Sequence, residues 1–216
     1  MISVTEQKPI EEIMKYLDKY QSVYVIGCGS RTTITHTGGK AEVLEMKEKL
    51  EAAGKKVTGW MVIPTACDEL TGDALTLKSE EIEAADSILV MSCAYGVQTV
   101  NRYLEKPVFP AVDTMFIGKE MILEQFTELC MQCGECVIGQ YAGICPMTWC
   151  AKNLLCGPCG GTREGKCEQE PEHDCAWVLI YDRMKKLGRL DELKGFAAPK
   201  DYSKLKRPRQ QKVSPS

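Results

Sequence analysis

The positions of its cysteines limit what this sequence can fold into more than any other feature does. The chain has 12 cysteines in 216 residues, and nine of them fall between Cys130 and Cys175. Within that segment, CMQCGEC at residues 130–136 sets three cysteines at successive i+3 spacing. The other three are scattered singly through the first half, so we expect the two halves of the chain to form different kinds of structure.

The cellular compartment decides what so many thiols can do. The first residues, MISVTEQKPIEE, carry acids where a secretory signal needs an apolar stretch, and apolar runs such as residues 87–91 are too short to span a bilayer. We therefore expect a cytoplasmic protein without membrane insertion, where a reducing environment favours metal binding over disulfides. A secreted disulfide scaffold is the disfavoured alternative, and a net charge of -3 predicts no general affinity for nucleic acid.

Residues 1–120 alternate between strand-like and helix-like patterns. Short apolar runs that predict buried parallel strands lie at residues 22–28, 56–63, 87–91 and 108–109. Apolar residues at helical spacing predict helices at residues 10–17, 43–53, 80–85 and 97–104. This alternation predicts an α/β fold, with a small three-layer parallel-sheet domain of Rossmann or flavodoxin type.

The rest of the chain divides by composition. Residues 121–198 hold the nine clustered cysteines and are predicted to form a mostly irregular and helical domain, with one helix running from Trp177 to Leu193. Residues 199–216 contain six Lys or Arg against one Asp, which predicts a basic disordered tail. Docking of that tail against an acidic partner surface is the alternative.

The three scattered cysteines share a topological position. Cys28 and Cys93 lie where predicted strands end, and Cys67 follows the strand that ends at Ile63. Because the carboxyl ends of parallel strands collect binding sites, these thiols are candidate ligands of a further metal site, with His36 as a fourth ligand. The alternative is that each is a small buried hydrophobic residue.

The triplet at residues 130–136 favours iron over zinc. Structural zinc usually takes two paired CxxC turns, whereas three cysteines at successive i+3 spacing are typical of a [4Fe–4S] site whose fourth thiolate comes from elsewhere. Cys145-Pro146 resembles the later Cys-Pro of two-cluster ferredoxins, and abundant glycine lets a chain fold tightly around a cluster. Nine cysteines allow two four-ligand clusters with one thiol left over.

These cysteine-rich motifs resemble one family. The elements CxxCGxC, the GPCGG turn, GKCE and a closing CAW, between residues 130 and 177, are similar to the C-terminal domain associated with methylenetetrahydrofolate reductase. They also resemble MetV, the small partner subunit of that reductase in anaerobic one-carbon metabolism. The first half is similar to MetV in its strand, its GCG turn and the later TGG, so the resemblance covers nearly the whole chain except its tail.

The resemblance implies a set of ligands. The family has asparagine where this chain has Cys156, which leaves that thiol as the spare and eight cysteines as ligands of two [4Fe–4S] clusters: Cys130, Cys133, Cys136, Cys145, Cys150, Cys159, Cys167 and Cys175. The family also carries cysteines where this chain has Arg31 and Thr35. The three scattered cysteines stay additional candidate ligands, of either a further cluster or zinc.

In function, the resemblance implies electron transfer. The chain would be a non-catalytic accessory subunit that passes single electrons from a ferredoxin-like or heterodisulfide-reductase-like donor to the flavin of a MetF-like methylenetetrahydrofolate reductase subunit. The sequence has no catalytic triad, paired-carboxylate motif or complete nucleotide motif that assigns catalysis to it alone. A different class of function stays open, in which zinc or a cluster stabilises an interaction module that serves a corrinoid methyltransferase system.

Overall fold

The chain folds as two compact units. The computed structural model describes residues 1–195, 197–205 and 207–210, and residue contacts divide the chain into Met1–Thr127 and Glu128–Ser216. Residue 120, where the sequence analysis divides the first two domains, lies within a strand of the first unit. In the predicted basic tail, residue 206 and residues 211–216 lie outside the described residues.

A four-stranded parallel sheet forms the centre of the first unit. In chain order the elements of this unit are β1 (Ile2–Gln7), α1 (Ile10–Tyr16), β2 (Ser22–Cys28), α2 (Arg31–Ile34), α3 (Lys40–Ala52), β3 (Lys56–Ile63), α4 (Thr71–Thr76), α5 (Ser79–Glu83), β4 (Ser87–Met91), α6 (Ala94–Tyr103), β5 (Val108–Pro110), β6 (Val112–Ile122) and β7 (Gln125–Thr127). The parallel strands lie in the order β3-β2-β4-β5. This is the order of doubly wound sheets of the flavodoxin type, and it confirms the predicted α/β class.

Helices cover both faces of this sheet. Alternate residues of β2 point to opposite faces, as a strand requires. One buried cluster joins Val23 and Val25 to apolar residues of α1 and α3, namely Ile13, Val43 and Leu50. The other joins Tyr24 and Ile26 to apolar residues of α4, α5 and α6, namely Leu75, Ile82 and Val100. The first unit therefore has three layers, as the sequence predicts.

A second, three-stranded sheet was not predicted from the sequence. β1 pairs antiparallel with β6, which in turn pairs antiparallel with β7. Ile2 lies opposite Gly118, so the pairing joins segments more than a hundred residues apart. Only one residue of β1 is buried, and a half-exposed strand has no continuous apolar run to reveal it.

A glycine turn fixes the loop that follows β2. The Cys28 N–H donates to the Gly38 carbonyl oxygen at 2.9 Å, which brings the Thr37-Gly38-Gly39 turn back onto the end of the strand. A β-carbon at Gly38 would lie 1.9 Å from the Met91 carbonyl oxygen, at the end of β4. No residue with a side chain fits there, so the loop from Gly29 to Thr37 has a fixed path across the carboxyl ends of β2 and β4.

The second unit contains little regular structure. Its α-helices are α7 (Pro146–Trp149) and α8 (Ala176–Lys186), and its 3-10 helices are Ile138–Tyr141, Leu190–Lys194 and Tyr202–Leu205. The prediction of one helix from Trp177 to Leu193 is wrong, because α8 ends before Gly188, whose φ of 67° is left-handed. Within the described part of the chain, no helix is long and apolar enough to cross a membrane.

The three-layer core predicts a contrast between two leucines. Leu50 on α3 is fully buried, whereas Leu77, just after α4, is 82% exposed. Leu50→Ala should lower the free energy of unfolding by about 2–5 kcal/mol, because it removes buried methyl groups and leaves a cavity. Leu77→Ala should change it by less than about 0.5 kcal/mol. Urea unfolding followed by circular dichroism measures both, and equal effects would contradict this account of the core.

Candidate metal centres

Four cysteines line one cavity in the second unit. Cys130, Cys133 and Cys136 of the CMQCGEC segment share it with Cys145, and its volume is about 190 Å³. Cys145 caps the N-terminus of α7, whose first residue is Pro146. Proline suits that helix position because its missing N–H would have no partner there. The short helix thus places the fourth thiol beside the triplet.

The backbone of the triplet turns toward its sulfur atoms. Gln132 and Gly134 have left-handed φ angles of 53° and 84°. The Gln132 N–H donates to Cys130 Sγ at 3.4 Å, and the Cys133 thiol donates to the Glu135 carbonyl oxygen at 3.5 Å. Backbone N–H groups directed at sulfur stabilise thiolates, so this loop is suited to hold anionic sulfur.

The other four predicted ligands line a second cavity. Cys150, Cys159, Cys167 and Cys175 surround a space of about 20 Å³. Cys175 caps the N-terminus of α8 and donates its N–H to the Gly165 carbonyl oxygen at 2.7 Å. As in the first loop, a backbone N–H two residues ahead, that of Gly161, donates to Cys159 Sγ at 3.4 Å.

The donor sets match metal chemistry in kind and number. Each cavity offers four thiols, which is the ligand set of both a [4Fe–4S] cluster and a structural zinc ion. Among residues 1–195, 197–205 and 207–210, no three Cys, His, Asp or Glu side chains already stand in coordinating positions. Binding therefore requires the thiols to turn inward. The division into two sets of four could not be read from spacing, since all nine cysteines are close in sequence.

An ion pair that the sequence analysis did not single out lies at the second cavity. Lys152 and Glu168 both line it, and the Lys152 ammonium pairs with the Glu168 carboxylate. The Cys159 thiol donates to that carboxylate at 3.6 Å. Chiefly through its hydrogen bond, Lys152 lowers the pKa of Glu168. The wall of this cavity therefore contains a fixed positive and a fixed negative charge.

Cys156 lies apart from both sets. Its exposed thiol lines a separate cavity of about 600 Å³ together with Tyr141 and Trp177. The Tyr141 hydroxyl donates to the Leu155 carbonyl oxygen at 2.6 Å, and the Trp177 indole N–H donates to the Leu154 carbonyl oxygen at 3.1 Å. These bonds hold the segment before Cys156, while its thiol faces neither four-cysteine cavity.

The scattered cysteines of the first unit lie near one another. Cys28 ends β2, Cys93 caps α6, and Cys67 shares a cavity of about 250 Å³ with Cys93 and Arg31. Burial mainly raises the pKa of the Cys67 thiol, the neighbouring Cys93 and Cys28 raise it further, and Arg31 opposes them. Burial also opposes ionisation of Cys28, but hydrogen bonding at its sulfur, with the Ser30 hydroxyl 3.3 Å away, outweighs it and lowers its pKa.

Other candidate positions in this unit have different partners. The side chain of His36 is 77% exposed, with its Nδ1 atom 3.8 Å from the Glu42 carboxylate. The Thr35 hydroxyl hydrogen-bonds those of Thr5 and Thr37 at 3.0 Å each, and Arg31 lines the cavity of Cys67. At the two positions where the similar family has cysteine, this chain thus has the guanidinium of Arg31 and the hydroxyl of Thr35, which belongs to a polar network.

One family comparison bears on these centres. Residues 109–203 match the family model described as methylene-tetrahydrofolate reductase C terminal. The matched segment, which is less than half of the chain, is similar to that C-terminal domain. The match spans both four-cysteine cavities and confirms the family predicted from the motifs. It indicates an association with methylenetetrahydrofolate reductase. No curated protein and no solved structure matches the chain significantly.

Cys67 offers a test of whether the first-unit cysteines hold metal. If its thiol is free, alkylation by iodoacetamide should increase with pH and reach half its limiting rate above the pH of an ordinary thiol, because the pKa of Cys67 is raised. Arg31→Gln should move this midpoint to still higher pH, and Cys93→Ser should move it down. Mass spectrometry of tryptic peptides measures each rate. A Cys67 that stays unreactive until chelator is added would contradict the free thiol and support a metal site.

Proposed function

We propose that this chain is an electron-transfer subunit of a methylenetetrahydrofolate reductase complex and holds two [4Fe–4S] clusters. Cys130, Cys133, Cys136 and Cys145 would bind the first cluster. Cys150, Cys159, Cys167 and Cys175 would bind the second. The observation that supports this proposal is that the eight motif-matched cysteines line two cavities in groups of four, within the segment that matches the family.

The chain's own residues prepare both sites for anionic sulfur. The N–H groups of Gln132 and Gly161 donate to cysteine sulfur atoms in the first and second loops. Lys152 contributes a positive charge at the second cavity. Bound clusters would supply one-electron transfer, and a flavin on a partner would convert single electrons into a two-electron reduction. The chain's role is thus to hold sulfur ligands in place and balance their charge.

The partners follow from that chemistry. A MetF-like subunit would carry the flavin, and a ferredoxin-like or heterodisulfide-reductase-like protein would donate electrons. The family match supports the reductase as the partner, since its description names that enzyme. A reducing cytoplasm suits a chain whose 12 cysteines are all free thiols in the structure.

One observation favours a second candidate function. The cavity of Cys150, Cys159, Cys167 and Cys175 is about 20 Å³, close to the space that one water molecule needs. A single zinc ion fits such a volume with less rearrangement than a cluster of eight atoms. In this second candidate, zinc stabilises an interaction module that serves a corrinoid methyltransferase system.

Metal analysis of three proteins tests the ligand assignment. Anaerobically purified wild-type protein should contain about eight iron and eight sulfide per chain. Cys159→Ser should lose about half of both, because serine oxygen is a harder and poorer ligand for cluster iron. Cys156→Ser makes the same chemical change three residues away and should keep full iron. Zinc in place of iron would support the second candidate, and full iron in Cys159→Ser would contradict the assignment.

Anaerobic affinity purification tests the partner. The tagged chain should capture a flavoprotein, recognised by its flavin absorbance, and the dithionite-reduced chain should bleach that absorbance on mixing. Wild-type protein stripped of iron by chelator is the matched control and should not transfer electrons. Capture of a corrinoid protein without a flavoprotein would favour the interaction module.

A further inference from the structure

The basic C-terminal segment packs on the first cysteine loop. We call residues 200–205 and 207–209 the basic strap. Its Arg209 guanidinium donates to the Gln132 carbonyl oxygen at 2.9 Å, and the Asp201 N–H donates to the Glu135 carboxylate at 2.6 Å. A β-carbon at Gly134 would lie 3.0 Å from the β-carbon of Lys204, so the strap and the loop are in direct contact.

Lys200 is the most buried charge of this strap. Its side chain is only 1% exposed, and its ammonium donates to the Glu135 carbonyl oxygen. The Cys133 thiol donates to the same oxygen. Lys200 and Cys133 therefore share one acceptor, the Glu135 carbonyl oxygen. This places the ammonium close to a sulfur atom of the first cavity.

Among the described residues, the acid paired with this ammonium is shared with a second lysine. The Glu135 carboxylate lies 3.8 Å from Lys200, but it also pairs with Lys204 at 3.6 Å and accepts the Asp201 N–H. A buried cation is costly without a compensating charge. Ionised thiolates of the first cavity would supply that charge.

We propose that the positive charge of Lys200 raises the reduction potential of the first [4Fe–4S] cluster. This inference rests on the proposed function. Reduction adds one negative charge to the cluster, and a nearby buried cation stabilises the reduced form more than the oxidised form. Lys204 also pairs with Glu135, but its side chain is 50% exposed, so solvent screens its charge.

Redox titration of the full chain, followed by electron paramagnetic resonance, tests this role. Lys200→Met removes the charge but keeps the length of the side chain. The midpoint potential of one cluster should become more negative by about 59 mV or more. A shift of that size is a tenfold change in a one-electron reduction equilibrium. Lys200→Arg should keep most of the wild-type potential, and Lys204→Met should give a clearly smaller shift. The same shift in a Cys159→Ser background, which disables the second site, would assign it to the first.

Iron content separates the two proposals. Wild-type protein without iron would overturn the proposed function and this inference with it. Iron-replete Lys200→Met with unshifted potentials would overturn this inference alone, as would a Lys204→Met shift of equal size. If Lys200→Met loses half of its iron, Lys200→Gln is titrated in its place, and an iron-replete Lys200→Gln with unshifted potentials would overturn the role in tuning.

Discussion

Tyr141 and Trp177 pack edge to face, with ring centroids 5.4 Å apart, and each donates a hydrogen bond to the backbone before Cys156. Tyr141 follows the triplet loop by a few residues, and Trp177 lies in the first turn of α8, two residues after Cys175. One aromatic contact therefore joins the segments that supply both four-cysteine cavities. The buried core of the second unit is small, and both rings belong to it. The packing of this pair therefore helps to hold the two sets of cysteines in place.

The parallel sheet could be predicted because each of its main strands is a short apolar run that is recognisable in the sequence by itself. β2, β3 and β4 lie where apolar runs predict strands, and Cys28 and Cys93 lie at or just after the carboxyl ends of β2 and β4. The β1–β6 pairing was not predictable in this way, because it depends on residues at opposite ends of the first unit. Its strands are partly exposed, so no local pattern distinguishes them from loops.

The candidate centres show a similar division. Motif and spacing identified nine candidate thiols, and the family resemblance implied which eight would be ligands. The division into two sets of four depends on how α7 and α8 orient Cys145, Cys150 and Cys175. Lys200 could not be identified, because a lysine in a basic tail is expected to be solvated. Its burial depends on the Glu135 backbone, and only the folded chain brings these residues together.

The Gly38 turn limits which substitutions can change the shape of the loop after β2. Its backbone contact with Met91 fixes the loop after β2 through main-chain packing, and Cys28 donates its own N–H to the same turn. The Arg31 side chain is therefore not what gives the loop its shape, whereas the Thr35 hydroxyl joins the network of Thr5 and Thr37. A substitution at position 31 can therefore change the charge beside Cys67 while main-chain packing keeps the loop in place.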